Sequence, residues 1–158
     1  MTGHTFQRIL IALDDSPGYD KAIAYAKPFV NDTGASLALL TVTSVTSPAN
    51  FGADPLLGQQ PIVVPDVSDA QQDGAQRFLQ NLRAEFPETQ DVKLLNNIGN
   101  VRDEILSSAA EWKADLIIMG TNGRTGFDHF LSGSVAESVI RKSTCPVLVI
   151  PVGDEEEN

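Results

Sequence analysis

The segment Asp115–Pro151 decides the fold and reads DLIIMGTNGRTGFDHFLSGSVAESVIRKSTCPVLVIP. It starts with Asp115–Met119, an apolar run of the length and type found in strands buried on both faces of a parallel sheet. Residues 134–142 have helical spacing, and their apolar members are Val135, Val139 and Ile140. Ser134 and Glu137 fit a capping box, which predicts that this helix starts at Ser134.

The loop between this strand and this helix has glycines spaced as Gly120-x2-Gly123-x9-Gly133, followed by Ser134. Glycines let backbone N–H groups approach a ligand, and a helix start attracts anions, so the combination favours phosphate binding. The spacing matches neither the GxxxxGK[ST] of a P-loop nor the GxGxxG of dinucleotide-binding folds. Ordinary turn glycines are the alternative, but the presence of Arg124 and a capped helix favours the phosphate site.

The composition is that of one globular domain. A chain of 158 residues can bury a real core, and we assign residues 1–152 to a single domain and 153–158 (GDEEEN) to a mobile acidic tail. No apolar run approaches the ~18 residues of a membrane span, so we expect no membrane insertion. Cys145 stands alone, which excludes an internal disulfide. With no secretory signal at the N-terminus, we expect a cytoplasmic protein.

The charge balance argues against nucleic acid as a partner. Eleven basic and twenty-one acidic residues give a net charge of −10. Binding to nucleic acid depends on Lys and Arg neutralising phosphates, and this surface would repel them.

The rest of the chain alternates strands and helices. We expect five strands, at Gln7–Leu13, Ser36–Thr43, Asp91–Asn96, Asp115–Met119 and Pro146–Val152. This alternation predicts an open five-stranded, mostly parallel α/β sheet with helices on both faces. Ligands on such sheets bind at the carboxyl ends of strands where the strand order reverses, so the ends at Leu13-Asp14, Thr41-Val42 and Met119-Gly120 are of interest.

Four helices are expected between these strands. Ser16 as N-cap and Pro17 at the first position open the first helix, which Pro28 should kink or end near Lys27, before Gly34. The others are Ser68–Phe86, a helix capped by Asn100 that runs to about Lys113, and the helix at Ser134. The proline-containing stretch Ser44–Val67 shows no helical period and is either a flap over the site or a partner-contact loop.

The glycine pattern and the CPVLVIP strand resemble the universal stress protein family, in its ATP-binding branch. Arg8–Asp14 (RILIALD) with Ser16 is similar to the first strand and turn of the family, and Gly99–Trp112 to its penultimate helix. The resemblance covers about Phe6–Pro151. It implies a Rossmann-like, adenine nucleotide alpha hydrolase-like fold that binds ATP, or alternatively ADP, with Mg²⁺ held through the phosphates. It also implies a homodimer paired through Pro146–Val152.

The resemblance carries over to particular residues. Positions that line the adenosine pocket of the family correspond to Ala12, Asp14, Val42 and Met119, whose apolar members also suit a core. Asp14 is the candidate acceptor for ribose hydroxyls, with Asp15 as its competitor. The residues expected around the phosphates are Gly120, Asn122, Gly123, Arg124, Gly133, Ser134, Val135 and Ala136.

Two of the residues expected around the phosphates, Asn122 and Arg124, need comment. Asn122 stands where family members often have a histidine, and Arg124 is either a phosphate ligand or an ordinary exposed loop residue. Catalytic residues are harder to find, because His4 and His129 are the only histidines and neither has a triad-like neighbour.

The function that fits best is a nucleotide-occupied regulatory dimer in stress response, with an unidentified protein partner. The alternatives are a dimeric interaction module without nucleotide, or a slow ATPase that uses His129 or Asp14.

Overall fold

The computed structural model describes Gly3 and residues 5–16, 18–44, 68–121 and 134–151. These residues form a five-stranded sheet and four helices. The strands are β1 (Arg8–Ala12), β2 (Ser36–Ser44), β3 (Val92–Gly99), β4 (Leu116–Thr121) and β5 (Val147–Pro151). The helices are α1 (Tyr19–Thr33), α2 (Asp69–Arg83), α3 (Val101–Trp112) and α4 (Ser134–Lys142).

The sheet has the order β3-β2-β1-β4-β5, and every neighbouring pair is parallel. The chain builds outward from β1 to β3 and then crosses to the other side of β1 for β4 and β5. The order therefore reverses between β1 and β4, which is where such sheets open a crevice. The predicted open α/β sheet is confirmed.

The strand register brings three carboxyl ends to the same level. Ala12 pairs with Leu40 on β2 and with Met119 on β4. The three strand ends singled out from the sequence therefore lie side by side, with that of β1 in the middle.

Alternate residues of the central strand face two different helix layers. Ile9 and Ile11 belong to the apolar cluster on the side of α1 and α2, whereas Leu10 and Ala12 belong to the cluster on the side of α3 and α4. Ile9, Leu10 and Ile11 are fully buried. The continuous apolar character of β1 thus follows from burial on both faces.

The start of α1 differs from the expected one. The helix begins at Tyr19 after Gly18, whose φ of 96° lies in the left-handed region. Ser16 does not cap it, because both its hydroxyl and its backbone N–H donate to Asp14 Oδ1, the latter over 3.2 Å. Asp14 and Ser16 thus form a tight turn at the end of β1 instead of a helix cap.

The expected early end of α1 near Lys27 was wrong. The helix continues to Thr33 and ends, as predicted, before Gly34. Pro28 lies on the exposed side of α1. The buried side holds the helix in place through Ala22, Ile23, Ala26 and Val30.

The ends of other elements differ from the predicted ends by a few residues. The strand β4 continues to Thr121 instead of ending at Met119, and α2 ends at Arg83 instead of Phe86. Ile140, expected on the apolar face of α4, is 53% exposed. None of the described helices is long and apolar enough to cross a membrane.

Candidate functional site

A cavity of about 190 Å³ lies at the carboxyl ends of β1, β2 and β4, beneath the starts of α3 and α4. It brings together seven residues that the sequence had singled out: Ala12, Asp14, Val42, Met119, Gly120, Val135 and Ala136. Most of its lining is apolar, and Asp14 is the ionisable residue among the described lining residues. The cavity can therefore bury an apolar group, and the Asp14 carboxylate lies at its mouth.

Five further lining residues were not proposed as site residues from the sequence: Leu13, Leu40, Val101, Ile105 and Thr121. Val101 and Ile105 are four residues apart on α3, so they share one face of that helix. Their apolar spacing is visible in the sequence, and by itself it indicates only a helix face that packs on the core. Only the packing of α3 beside α4 shows that the same face also closes the cavity.

The remaining predicted site residues fall at or beyond the edge of the described structure. Asn122, Gly123, Arg124 and Gly133 lie outside the described residues, so their proposed roles stay predictions. Ser134 is the first residue of α4, as predicted.

The backbone of Val42 faces the cavity side of β2. In a parallel strand, alternate residues direct their N–H and C=O groups to the same neighbouring strand. The carbonyl of Leu40 accepts from the N–H of Leu13, so Leu40 faces the β1 side. Val42, two residues later, faces the same side, but β1 has ended at Ala12. One backbone donor and one acceptor are thus directed into the space past β1.

The side chain of Asp14 is fixed in direction by its turn. Its Oδ1 atom accepts from the backbone N–H and the hydroxyl of Ser16, and Ser16 itself is buried. Asp14 is exposed to solvent while lining the cavity. This arrangement holds a carboxylate at the mouth of the cavity without burying its charge.

The start of α4 forms another wall of the cavity, through Val135 and Ala136. The first backbone N–H groups of a helix have no partner within the helix, and they carry the positive end of its dipole. The acidic residue of this first turn, Glu137, is engaged by Arg141 at 2.6 Å. The helix start can therefore attract an anion placed at this end of the cavity.

Side chains that can bind a metal ion are not clustered in the part of the chain that the structure describes. No group of three or more His, Cys, Asp or Glu side chains there could hold a metal ion.

A model of the universal stress protein family matches residues 5–151. The chain belongs to the universal stress protein family. Its sequence is 30% identical to a Staphylococcus aureus (strain USA300) protein described as a universal stress protein, over 158 aligned positions that cover 92% of this chain and 84% of the relative. It is 56% identical to the universal stress protein MJ0531 of Methanocaldococcus jannaschii over 48 residues, which are 30% of this chain and 28% of the relative.

Solved structures of universal stress proteins share its fold. That of MJ0577 from the same archaeon is 27% identical, with a TM-score of 0.73 over 96% of this chain and all of the other. In sequence, this chain matches less than half of MJ0577, at 38% identity over 48% of each.

Two further universal stress protein structures contain nucleotides. One is a complex with cAMP, 22% identical, with a TM-score of 0.59 over 93% of this chain and 98% of the other. The second, from Archaeoglobus fulgidus, is a complex with dAMP, 20% identical, with a TM-score of 0.59 over 93% of this chain and 99% of the other. At these sequence identities, the two structures show that they share the fold of this chain.

Proposed function

We propose that this universal stress protein binds an adenine nucleotide, ATP or ADP, and acts as a nucleotide-occupied regulatory homodimer. The observation that carries the proposal is the apolar cavity at the strand ends, into which the backbone of Val42 directs a donor and an acceptor. Related proteins that bind cAMP and dAMP support the same class of ligand.

The size and lining of the cavity suit a base. Pockets for whole drug-sized ligands measure ~300–1,000 Å³, and this one has about 190 Å³. An adenine ring between Ala12, Met119 and Val135 would bury its faces against apolar side chains, while the sugar and phosphates extend outward.

The backbone of Val42 favours adenine over guanine. Adenine presents a donor at its amino group and an acceptor at the adjacent ring nitrogen, which complements one backbone C=O and one N–H. Guanine presents the opposite pattern, an acceptor at O6 and a ring N–H donor. Guanine would leave these groups mismatched, and mismatched polar groups in a pocket lower affinity.

The sugar and phosphates have partners on the outer side of the cavity. The Asp14 carboxylate would accept from ribose hydroxyls. The phosphates would reach Gly120 and the N–H groups at the start of α4, from Ser134 to Ala136. By resemblance, Asn122, Gly123, Arg124 and Gly133 complete this cradle, and Mg²⁺ is held through the phosphates.

The edge strand β5 is the proposed dimer contact, through residues 146–152. Edge strands expose unpaired backbone groups and are usually covered or paired. The neighbouring helices α1 and α4 pack against β5 and expose Phe29 and Ile140, which are 37% and 53% accessible. A second copy placed along β5 would cover these apolar side chains as well.

The first experiment is to denature the purified protein and measure released nucleotide by anion exchange. We expect near-stoichiometric ATP or ADP. Nucleotide-free protein should then be titrated with ATP and with GTP in a calorimeter, with Mg²⁺ present. We expect the dissociation constant for ATP to be at least about tenfold lower than that for GTP. A protein that carries no nucleotide and gives no heat with ATP would instead be an interaction module.

The phosphate part of the proposal has its own test. Gly123→Val should abolish ATP binding because a bulky side chain blocks the approach of the backbone to phosphate, while the far-UV circular dichroism stays unchanged. Unaltered ATP affinity would show that the loop does not hold the phosphates.

A further inference from the structure

A second cavity of about 250 Å³ lies beside the first, at the ends of β2 and β3 and the starts of α3 and α4. Val101 on α3 and Val135 on α4 line both cavities, so the two spaces adjoin. The start of α4, where we place the phosphates of the nucleotide, therefore borders the second cavity as well as the first. Ser138 lies three residues after Val135, on the same face of α4, and also lines the second cavity.

The two cavities differ in the charge of their linings. Among the described lining residues, the ionisable one is Asp14 in the first cavity and Arg102 in the second. The other polar side chains of the second cavity each carry a hydrogen-bond donor, and they are those of Ser44, Asn100 and Ser138. Although the chain has a net charge of −10, no carboxylate is among the described residues that line this cavity. A cavity with this lining suits an anion.

The guanidinium of Arg102 has unused donors for such an anion. Its Nε donates to Asp103 Oδ1 over 2.9 Å, and the Asp103 side chain is 59% accessible. An ion pair this exposed contributes little to stability. Within the described part of the chain, Asp103 is the only partner of the Arg102 side chain, so the N–H groups on the two terminal nitrogens have none. These two nitrogens can bind two phosphate oxygens at once.

We propose that the second cavity receives the phosphate group at the far end of the triphosphate, and that Arg102 binds it. Successive phosphates extend away from the sugar, so a triphosphate held at the start of α4 continues past Val135 to Arg102. The single phosphate of AMP stays at the start of α4 and does not reach Arg102. Arg102 thus determines specificity for the length of the phosphate chain and favours ATP over AMP. This inference rests on the proposed function, since it assumes that the base of an adenine nucleotide occupies the first cavity.

The test measures the dissociation constants of ATP and AMP by calorimetric titration with Mg²⁺ present. The wild-type protein should bind ATP more tightly than AMP. Arg102→Gln should lower the affinity for ATP by about tenfold or more, the scale of a hydrogen bond to a charged group, and leave the affinity for AMP nearly unchanged. Arg102→Lys keeps the charge but loses the paired donors, so it should retain part of the affinity for ATP.

The matched control is Arg77→Gln on α2, which makes the same change in net charge on the opposite side of the sheet. It should leave both affinities unchanged. Glutamine and lysine both suit a helix, so the two Arg102 variants should fold.

Three results would overturn the inference while leaving nucleotide binding intact. They are a wild-type protein that binds ATP no more tightly than AMP, an Arg102→Gln protein with unchanged affinity for ATP, and one that loses affinity for ATP and AMP equally. A wild-type protein that binds neither nucleotide would overturn the proposed function itself, and the inference with it.

Discussion

Asp14 combines one observed contact, with Ser16, and one proposed role, the binding of ribose. Its Oδ1 atom closes the turn with Ser16, as shown by the two hydrogen bonds from that residue. Binding of ribose would have to use the rest of the carboxylate. Substitution by asparagine separates the two roles, because the amide oxygen can still close the turn while the amide nitrogen cannot accept a hydrogen bond.

We therefore expect Asp14→Asn to weaken ATP binding by about tenfold or more, the scale of a hydrogen bond to a charged group. Titration with ATP and with 2′,3′-dideoxy-ATP should show that the wild-type preference for ATP is largely lost in the variant. Asp15→Asn, one residue away, is the control and should keep the preference. An Asp14→Asn protein that still discriminates fully would place the ribose elsewhere.

Two glycines should respond to alanine in opposite directions. Gly99 has a φ of 151°, and a Cβ there would lie 3.0 Å from Glu104 Oε1, so Gly99→Ala should destabilise the fold. Gly74 lies inside α2 with nothing within 4 Å of an added Cβ, so Gly74→Ala should stabilise it by about 1 kcal/mol. Urea unfolding gives the change in the free energy of unfolding for each variant. Changes of the same sign in the two variants would contradict the conformations assigned to Gly99 and Gly74.

At the scale of elements, the end of β3 and the start of α3 are joined by side chains. The Asn100 side chain accepts from the N–H of Asp103 over 3.1 Å and caps α3. Asn97 donates to Glu104 at 3.0 Å and to Ser108 at 2.9 Å, which ties β3 to the same helix. These contacts position α3, and with it Val101 and Ile105, over the cavity.

The cap contribution can be measured directly. Asn100→Ala should lower the free energy of unfolding by about 1 kcal/mol, the usual cost of losing an N-cap. Asn100→Ser, which retains a capping oxygen, should keep most of the wild-type free energy of unfolding. Urea denaturation provides the comparison, and equal losses for both variants would mean that capping is not the role of Asn100.

Dimerisation through β5 can be tested by removing a backbone hydrogen-bond donor from the free edge of this strand. The N–H of Ile117 donates to the carbonyl of Pro146, so Pro146, Leu148 and Ile150 direct their backbone groups to β4. Val149 therefore directs its N–H to the free edge. Val149→Pro removes that donor and leaves the bonds to β4 in place, since proline is tolerated on edge strands.

We expect Val149→Pro to be monomeric in sedimentation velocity, whereas Val149→Ala, which keeps the N–H, remains dimeric. A dimeric proline variant with native circular dichroism would show that the copies do not pair through the β5 backbone.

At the scale of the whole molecule, regulation by occupancy requires that nucleotide and dimerisation affect each other. A ligand shifts an equilibrium only through its different affinity for the two states, and the coupling is reciprocal. If ATP tightens the dimer by a given factor, the dimer binds ATP more tightly than the monomer does, as thermodynamic linkage requires.

The dimer dissociation constant should accordingly differ between samples with and without ATP and Mg²⁺. If ATP tightens the dimer, monomeric Val149→Pro should bind ATP more weakly than the wild-type dimer does, and if ATP weakens the dimer, it should bind ATP more tightly. Sedimentation equilibrium and titration calorimetry provide the two values. A dissociation constant that ATP leaves unchanged would remove the regulatory part of the proposal while leaving nucleotide binding intact.

Local sequence determined the elements of this protein and the family to which it belongs. Apolar runs such as Leu116–Met119 specify buried strands because burial on both faces tolerates no polar side chain. The cap Asn100 and the stop at Gly34 were also predicted from the sequence, because each acts on residues within four positions of itself.

The tertiary structure decided what depends on distant contacts. Pro28 remains inside α1 because packing of the opposite face against the sheet outweighs the local break. Val101 and Ile105 line the cavity as well as packing on the core because α3 lies beside α4. The Val42 backbone groups face the space past β1, instead of a neighbouring strand, because β1 ends at Ala12, thirty residues earlier in the chain. None of these outcomes is encoded within a short window, because each is fixed by the partner strand or helix that folding places alongside.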